Sequence, residues 1–232
     1  MRLSGGDPYL PPTIALGAIV LVLGLDPSLR NYGWAFHDTE ATGRDRCPAR
    51  GRFQTPAKMP FIDRYIFMRE SLRELIQEHR PDRVGIESPV FNDMWSEGMY
   101  GLFLYSNEAL KLERMNVAFF SPGQLKANAR SFLDRPKGWK MLKGDMVEAA
   151  KLDAGNKGRW NHNEADAYWA ALVGTRFWQF YAGELDMGDL TPVEAHQFAK
   201  IHTYQRGAKA GKTVKSGIIH REEDRFFLWS EA

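Results

Sequence analysis

Cysteine is nearly missing from this chain: Cys47 is the only one in 232 residues. One thiol excludes an intramolecular disulfide framework and any multi-cysteine zinc site, reads as an incidental loop thiol, and fits a reducing compartment. Net charge is scarce as well. The 31 Lys and Arg against 29 Asp and Glu leave a formal charge of +2, so the global balance selects no partner and only local clustering can. Long apolar runs are missing too: Ile14 to Leu25 is the longest and closes on Asp26, too short for a membrane span. No small-x-small cleavage site follows it, which argues against a secretory signal despite the preceding Arg2. The sequence holds neither internal repeats nor low-complexity tracts.

What is present suffices for a real core, since 44% of the residues are apolar. Residues 1–18 carry Gly5, Gly6, Pro8, Pro11 and Pro12 and read as a flexible leader. The body runs over 19–180, and 181–232 form a C-terminal extension.

The body opens on Ile19-Val20-Leu21-Val22-Leu23-Gly24-Leu25-Asp26, a strand with no polar face that belongs mid-sheet, covered on both sides. Pro27, Ser28 and Asn31 turn the chain, and Tyr32 to Phe36 return beside it. Gly51 to Thr55 is a third strand. Phe61 to His79 has helical spacing, with apolar Ile62, Tyr65, Ile66, Leu72 and Ile76. Arg83-Val84-Gly85-Ile86-Glu87 is again an apolar strand closing on a carboxylate. A helix over Glu97 to Arg114, a strand over Asn116 to Ser121 and a short helix opened by Pro122 follow. Strands alternating with helices argue for an α/β sandwich on a mixed sheet. Asp134 to Lys143 is an exposed loop, Met146 to Leu152 a helix, and a last long helix starts near Asn163, a good cap. On that helix Ala165, Ala167, Ala170 and Ala171 allow close approach to the sheet. His162 and Asn163 lie one turn before Asp166, and Glu164 points elsewhere.

Two strand-terminal acids and one acid in the first turn of a small-residue helix suit metal-dependent phosphodiester chemistry. Magnesium is hard and prefers carboxylate oxygens, and two ions about 4 Å apart need a bridging carboxylate with others flanking it. No side chain then has to act as a covalent nucleophile.

In their order and spacing, Gly24-Leu25-Asp26-Pro27-Ser28 with Tyr32-Gly33-Trp34, Val84-Gly85-Ile86-Glu87, and Asn163-Glu164-Ala165-Asp166-Ala167 resemble the RuvC family of Holliday-junction resolvases, over roughly Ile19 to Phe177. The resemblance implies a ribonuclease H-like fold with a mixed five-stranded sheet flanked by helices. It also implies a homodimer and Mg²⁺-dependent paired nicking of four-way DNA junctions, with Mn²⁺ as a substitute and two ions per site. Asp26, Glu87 and Asp166 match metal-binding acids. The family's fourth metal position falls on Asn163, a neutral amide in place of an Asp or His, with His162 or Glu164 available to compensate. Lys126 and Lys143 fall where basic residues near the scissile phosphate are expected, with Lys143 assigned to the catalytic set. Their neighbours Arg130, Arg135, Lys137 and Lys140 would supply sequence-independent phosphate attraction.

Beyond Glu87, Phe91 is the expected aromatic that unstacks bases at a junction centre, with core packing or a dimer contact as the alternative. The extension holds a linker over Leu185 to Thr191, a short helix over Pro192 to Lys200, and a flexible basic arm from Lys200 to Arg221 in which Lys209 and Lys212 are expected to touch DNA. Arg225 to Trp229 is expected to dock on the body or a partner. The expectation is therefore a branched-DNA endonuclease without membrane attachment, cytoplasmic or nucleoid-associated. A broader branched-DNA or RNA nuclease of the same fold, and a catalytically weak junction-binding protein, stand as alternatives. Actin-like sugar kinases and ATPases share an early strand-end Asp, but they need a second Gly-rich phosphate hairpin and a much longer chain.

Overall fold

The computed structural model describes residues 19–88, 97–155, 158–199, 201–203, 211–215, 218–222 and 225–228. Strands β1 (Leu21–Asp26), β2 (Asn31–Asp38) and β3 (Arg50–Gln54) form an antiparallel meander. Helix α1 (Phe61–His79) carries the chain across to β4 (Arg83–Glu87), which lies parallel to β1 on its other side. Helix α2 (Glu97–Leu112) then leads to β5 (Val117–Phe120), parallel to β4. Helices α3 (Pro122–Phe132), α4 (Lys143–Ala154), α5 (His162–Ala182) and α6 (Pro192–Phe198) follow.

Alternation along the central strands sends side chains to two separate cores. Leu23, Leu25, Val84, Ile86, Val117 and Phe119 meet Met68, Leu72 and Leu75 of α1 and Leu102 and Leu110 of α2. Val22, Ala35, Ala118 and Phe120 meet Leu125 of α3, Met146 and Ala150 of α4, and Ala167, Ala170 and Phe177 of α5. The sheet is thus buried on both faces, which is why its central strands lack a polar side.

The expected five strands are present in the order β3-β2-β1-β4-β5, and two more extend the sheet to seven. These are β8 (Ile219–Glu222), antiparallel to β5, and β9 (Arg225–Leu228), antiparallel to β8. They cover the open backbone groups along β5, which an edge strand would expose. Before them, β6 (Ile201–Thr203) and β7 (Thr213–Lys215) pair as a separate ribbon. The end of the expected flexible arm is therefore sheet. Arg221 is buried, and its guanidinium donates to the carbonyls of Asn107 and Met115, both at 3.1 Å. The aromatic segment after it docks on the body, with the Phe226 ring 6.1 Å from that of Phe119.

Two helix starts differ from expectation. Helix α4 begins at Lys143, three residues early, with Asp145 reaching back to the Leu142 amide at 2.7 Å. Helix α5 is capped by Asn161, whose side chain accepts from the Asn163 amide at 2.9 Å. Asn163 lies inside the first turn. Among the described residues, no helix is long and apolar enough to cross a membrane.

Candidate active site

Strand parity decides where the acids point. In β1, Leu23 and Leu25 face the α1/α2 core, and Gly24 lies beneath α5, where an added Cβ would stand 1.9 Å from the Ala167 carbonyl oxygen. Asp26, two residues on, shares the α5 face. In β4 the same pattern recurs: Gly85 sits under α5, where a Cβ would approach the Ala170 carbonyl oxygen to 2.2 Å, and Glu87 follows two residues later. Gly24 and Gly85 are register partners on adjacent parallel strands, so Asp26 and Glu87 leave neighbouring strand ends on the same side. Gly33 of β2 completes the floor, where a Cβ would reach the Asn163 carbonyl oxygen at 2.2 Å. Three missing Cβ atoms let α5 settle onto the sheet from Asn163 to Gly174, and Asp166 comes down beside the two strand-end acids.

The electrostatics report that convergence. Burial, then the negative charges of Glu87 and Asp166, raise the Asp26 carboxyl well above the usual carboxylate range, while Lys143 pulls it back. Burial and Asp166 raise Glu87, opposed by Lys126. Burial raises Asp166 to about 6 against the pull of Lys126 and Lys143. One Asp166 oxygen, Oδ1, is shut from solvent with no hydrogen-bond partner among the described residues. Such a cluster is unfavourable when ionised unless positive charge enters it.

Lys126, in the second turn of α3, and Lys143, at the first position of α4, are both exposed and act electrostatically on these acids. His162 opens α5 one turn before Asp166, its pKa lowered by burial, Lys143 and Arg52. The structure thus brings together Asp26, Glu87, Asp166, Lys126 and Lys143, with His162 linked to them through Lys143. Asn163 is beside them but buried, and its Nδ2 donates to the Asn31 carbonyl, pinning α5 to β2. Glu164 is spent elsewhere: it accepts from the Asn161 amide at 3.2 Å and pairs with Arg50 and Arg52 at 3.5 and 3.4 Å.

Arg130, Lys137 and Lys140 lie on the end of α3 and the loop that follows it. Lys212 is exposed beside β7 and is not among the charges that shift the three acids. Phe91 and Lys209 fall outside the described residues. Cys47 lies in the loop between β2 and β3 as expected but is buried there, and burial pushes its thiol up to about 11. Sequence reading missed Gly24, Gly33 and Gly85 as determinants of the site. A signal existed in the repeated Gly-x-acid pattern of Gly24-Leu25-Asp26 and Gly85-Ile86-Glu87.

The donor set suits a hard divalent cation, since it is made of carboxylate oxygens and includes an orphaned buried one. Among the described residues, no three His, Cys, Asp or Glu side chains are drawn together tightly enough to hold an ion as they stand.

No protein-family model matches the chain. The crossover junction endodeoxyribonuclease RuvC of Caulobacter vibrioides is 34% identical over 71 residues, 31% of this chain and 41% of that one. Its counterpart from Erythrobacter litoralis is 35% identical over 74 residues, 32% and 45% of the two chains. The match therefore spans less than half the length of these curated relatives. The structure of Thermus thermophilus RuvC superposes with a TM-score of 0.56 at 18% identity, over 71% of this chain and 97% of that one. The T. thermophilus RuvC in complex with Holliday junction substrate gives 0.55 at 18% identity, over 71% and 96%. The chain thus shares the ribonuclease H-like fold of RuvC over 71% of its length and is similar to RuvC in sequence over about a third.

Proposed function

We propose that this chain is a divalent-metal-dependent endonuclease that resolves four-way DNA junctions by paired nicks. The observation that carries the reading is the set of three half-buried, mutually repelling carboxylates from β1, β4 and α5 whose charge Lys126 and Lys143 offset. Asp26, Glu87 and Asp166 would hold Mg²⁺ or Mn²⁺, two ions per site, with Asn163 or His162 completing one shell. Bound there, the metal supplies an activated water and stabilisation of the leaving oxygen. The protein's own groups do the rest. Asp26, on a central strand end and repelled by both other acids, fixes the position of the site. Lys143 stands where negative charge grows on the phosphate and offsets it. Lys126, Arg130, Lys137 and Lys140 attract the DNA backbone whatever its sequence.

Two identical strands must be cut in a symmetric substrate, so the active form is a two-fold dimer. Exposed Phe61, Ile62, Tyr100 and Leu104 on α1 and α2 support a partner copy on that face. The test is nicking of a labelled four-way junction beside a fork and a linear duplex, in Mg²⁺, Mn²⁺ or EDTA. Metal-dependent, paired junction cuts support the reading, and cuts spread equally over fork and junction move it to a general branch nuclease. The commitment of the Asn163 amide to Asn31 favours one second reading, a junction-binding protein with weak cleavage, which binding without cuts in either metal would establish.

A further inference from the structure

The loop over 133–142 is the chain's only covalent link between the helix that holds Lys126 and the helix that starts with Lys143. The loop therefore adjoins both lysine-bearing helices. At its tip stands Trp139, 46% exposed, between exposed Lys137 and Lys140. A single exposed indole is ordinary on a protein surface, and this one is set apart by the cations around it. The ring is also braced. The Trp139 amide donates to the Pro136 carbonyl at 2.8 Å, closing a tight turn. The Arg135 guanidinium carbon lies 5.3 Å from the ring centroid on one side, and Arg135 is itself held by Glu148 at 3.4 Å. A cation supports one side of the ring while the remainder stays open to solvent.

We infer that Trp139 is a stacking platform for an unpaired nucleobase at the branch of the DNA held by Lys126 and Lys143. The charge of the surroundings selects a polyanion, and the flat exposed ring selects a base in place of a phosphate. In intact duplex the bases are already stacked on each other, so the platform discriminates branched from linear DNA. This inference rests on the DNA reading of the preceding subsection, and it assigns to that site the residue that senses an open branch.

The experiment measures binding of the full chain, in EDTA to prevent cutting, to a four-way junction carrying 2-aminopurine at the branch point and to a linear duplex of equal length. In Trp139→Ala the ratio of junction affinity to duplex affinity falls about tenfold, within the range for loss of one base-aromatic stack. Trp139→Phe keeps most of the ratio, because the aromatic face remains. Wild type changes 2-aminopurine emission on binding, and Trp139→Ala does so to a smaller extent. If wild type prefers the junction and Trp139→Ala keeps that preference, the inference fails while the branched-DNA reading stands. If wild type binds neither DNA, or both equally, the branched-DNA reading fails and takes the inference with it.

Discussion

Gly24 lies directly under Ala167, so close that a Cβ on Gly24 would stand 1.9 Å from the Ala167 carbonyl oxygen and 2.8 Å from the Ala171 Cβ. The obstacle is helix backbone, which cannot rotate away as a side-chain tip could. Gly24→Ala is therefore expected to destabilise the protein by ~3 kcal/mol or more, at the upper end for overpacking. Because the displaced helix carries Asp166, the variant also loses nicking at temperatures where it remains folded. Urea unfolding gives the first quantity and junction nicking below the transition gives the second.

The acids make stability depend on pH in a definite direction. The folded pKa of Asp166 is raised to about 6, against about 4 in an unfolded chain. The folded state thus holds the proton more tightly, and metal-free stability falls as pH rises from about 4 through about 6 and stays low above. Burial lowers the pKa of His37 to about 4, which works the opposite way: its contribution is lost as pH falls below about 6.5. A comparison of Asp166→Asn with wild type cancels the His37 effect. In EDTA, the stability gain of the variant over wild type is expected to grow by ~2 kcal/mol between pH 4.5 and 7.5. A gain independent of pH would contradict the raised pKa.

Lys143 acts on Asp26, Asp166 and His162 without belonging to the packed core. Lys143→Ala is expected to leave the melting temperature within about 2 °C of wild type, as exposed substitutions do. It is expected to slow single-turnover nicking by about 10²-fold, the scale for removal of one positioned charge stabiliser. Equal nicking rates would remove Lys143 from the catalytic set.

Asn163 donates its amide to the Asn31 carbonyl. In Asn163→Asp that donor becomes a carboxylate oxygen facing a carbonyl oxygen, at a cost of ~1–3 kcal/mol. The same change adds a charged ligand beside the three acids. Metal-free, the variant is expected to melt below wild type, and Mg²⁺ is expected to raise its melting temperature by more than it raises that of wild type. Thermal melts with and without Mg²⁺ decide this.

Much of the architecture could be read from the residues where burial leaves one solution. The two-sided apolar runs ending at Asp26 and Glu87 had to be central strands, and the spacing of Phe61 to His79 fitted only a helix. Their terminal acids were legible for the same reason. The start of α4 was not, because Leu142 at its cap offers no polar signal. With Asn161 and Asn163 two residues apart, propensity alone could not choose the cap of α5. The β8 and β9 strands are four residues each and lie next to a Gly- and Lys-rich stretch, so local composition concealed a pairing set by the open edge of β5. The role of Gly24 and Gly85 depends on a helix that starts 77 residues after Gly85 and further still after Gly24, and no local pattern names that helix.

The central claim is that Asp26, Glu87 and Asp166 form a metal-dependent nuclease centre. It is tested most directly by single-turnover nicking of a four-way junction in Mg²⁺ by wild type and Asp26→Asn, with junction binding measured in parallel. The account expects paired cuts by wild type that vanish in EDTA, and Asp26→Asn that binds the junction with similar affinity and does not cut. Asp26→Asn that nicks at the wild-type rate, or wild type that cuts equally well in EDTA, would contradict it.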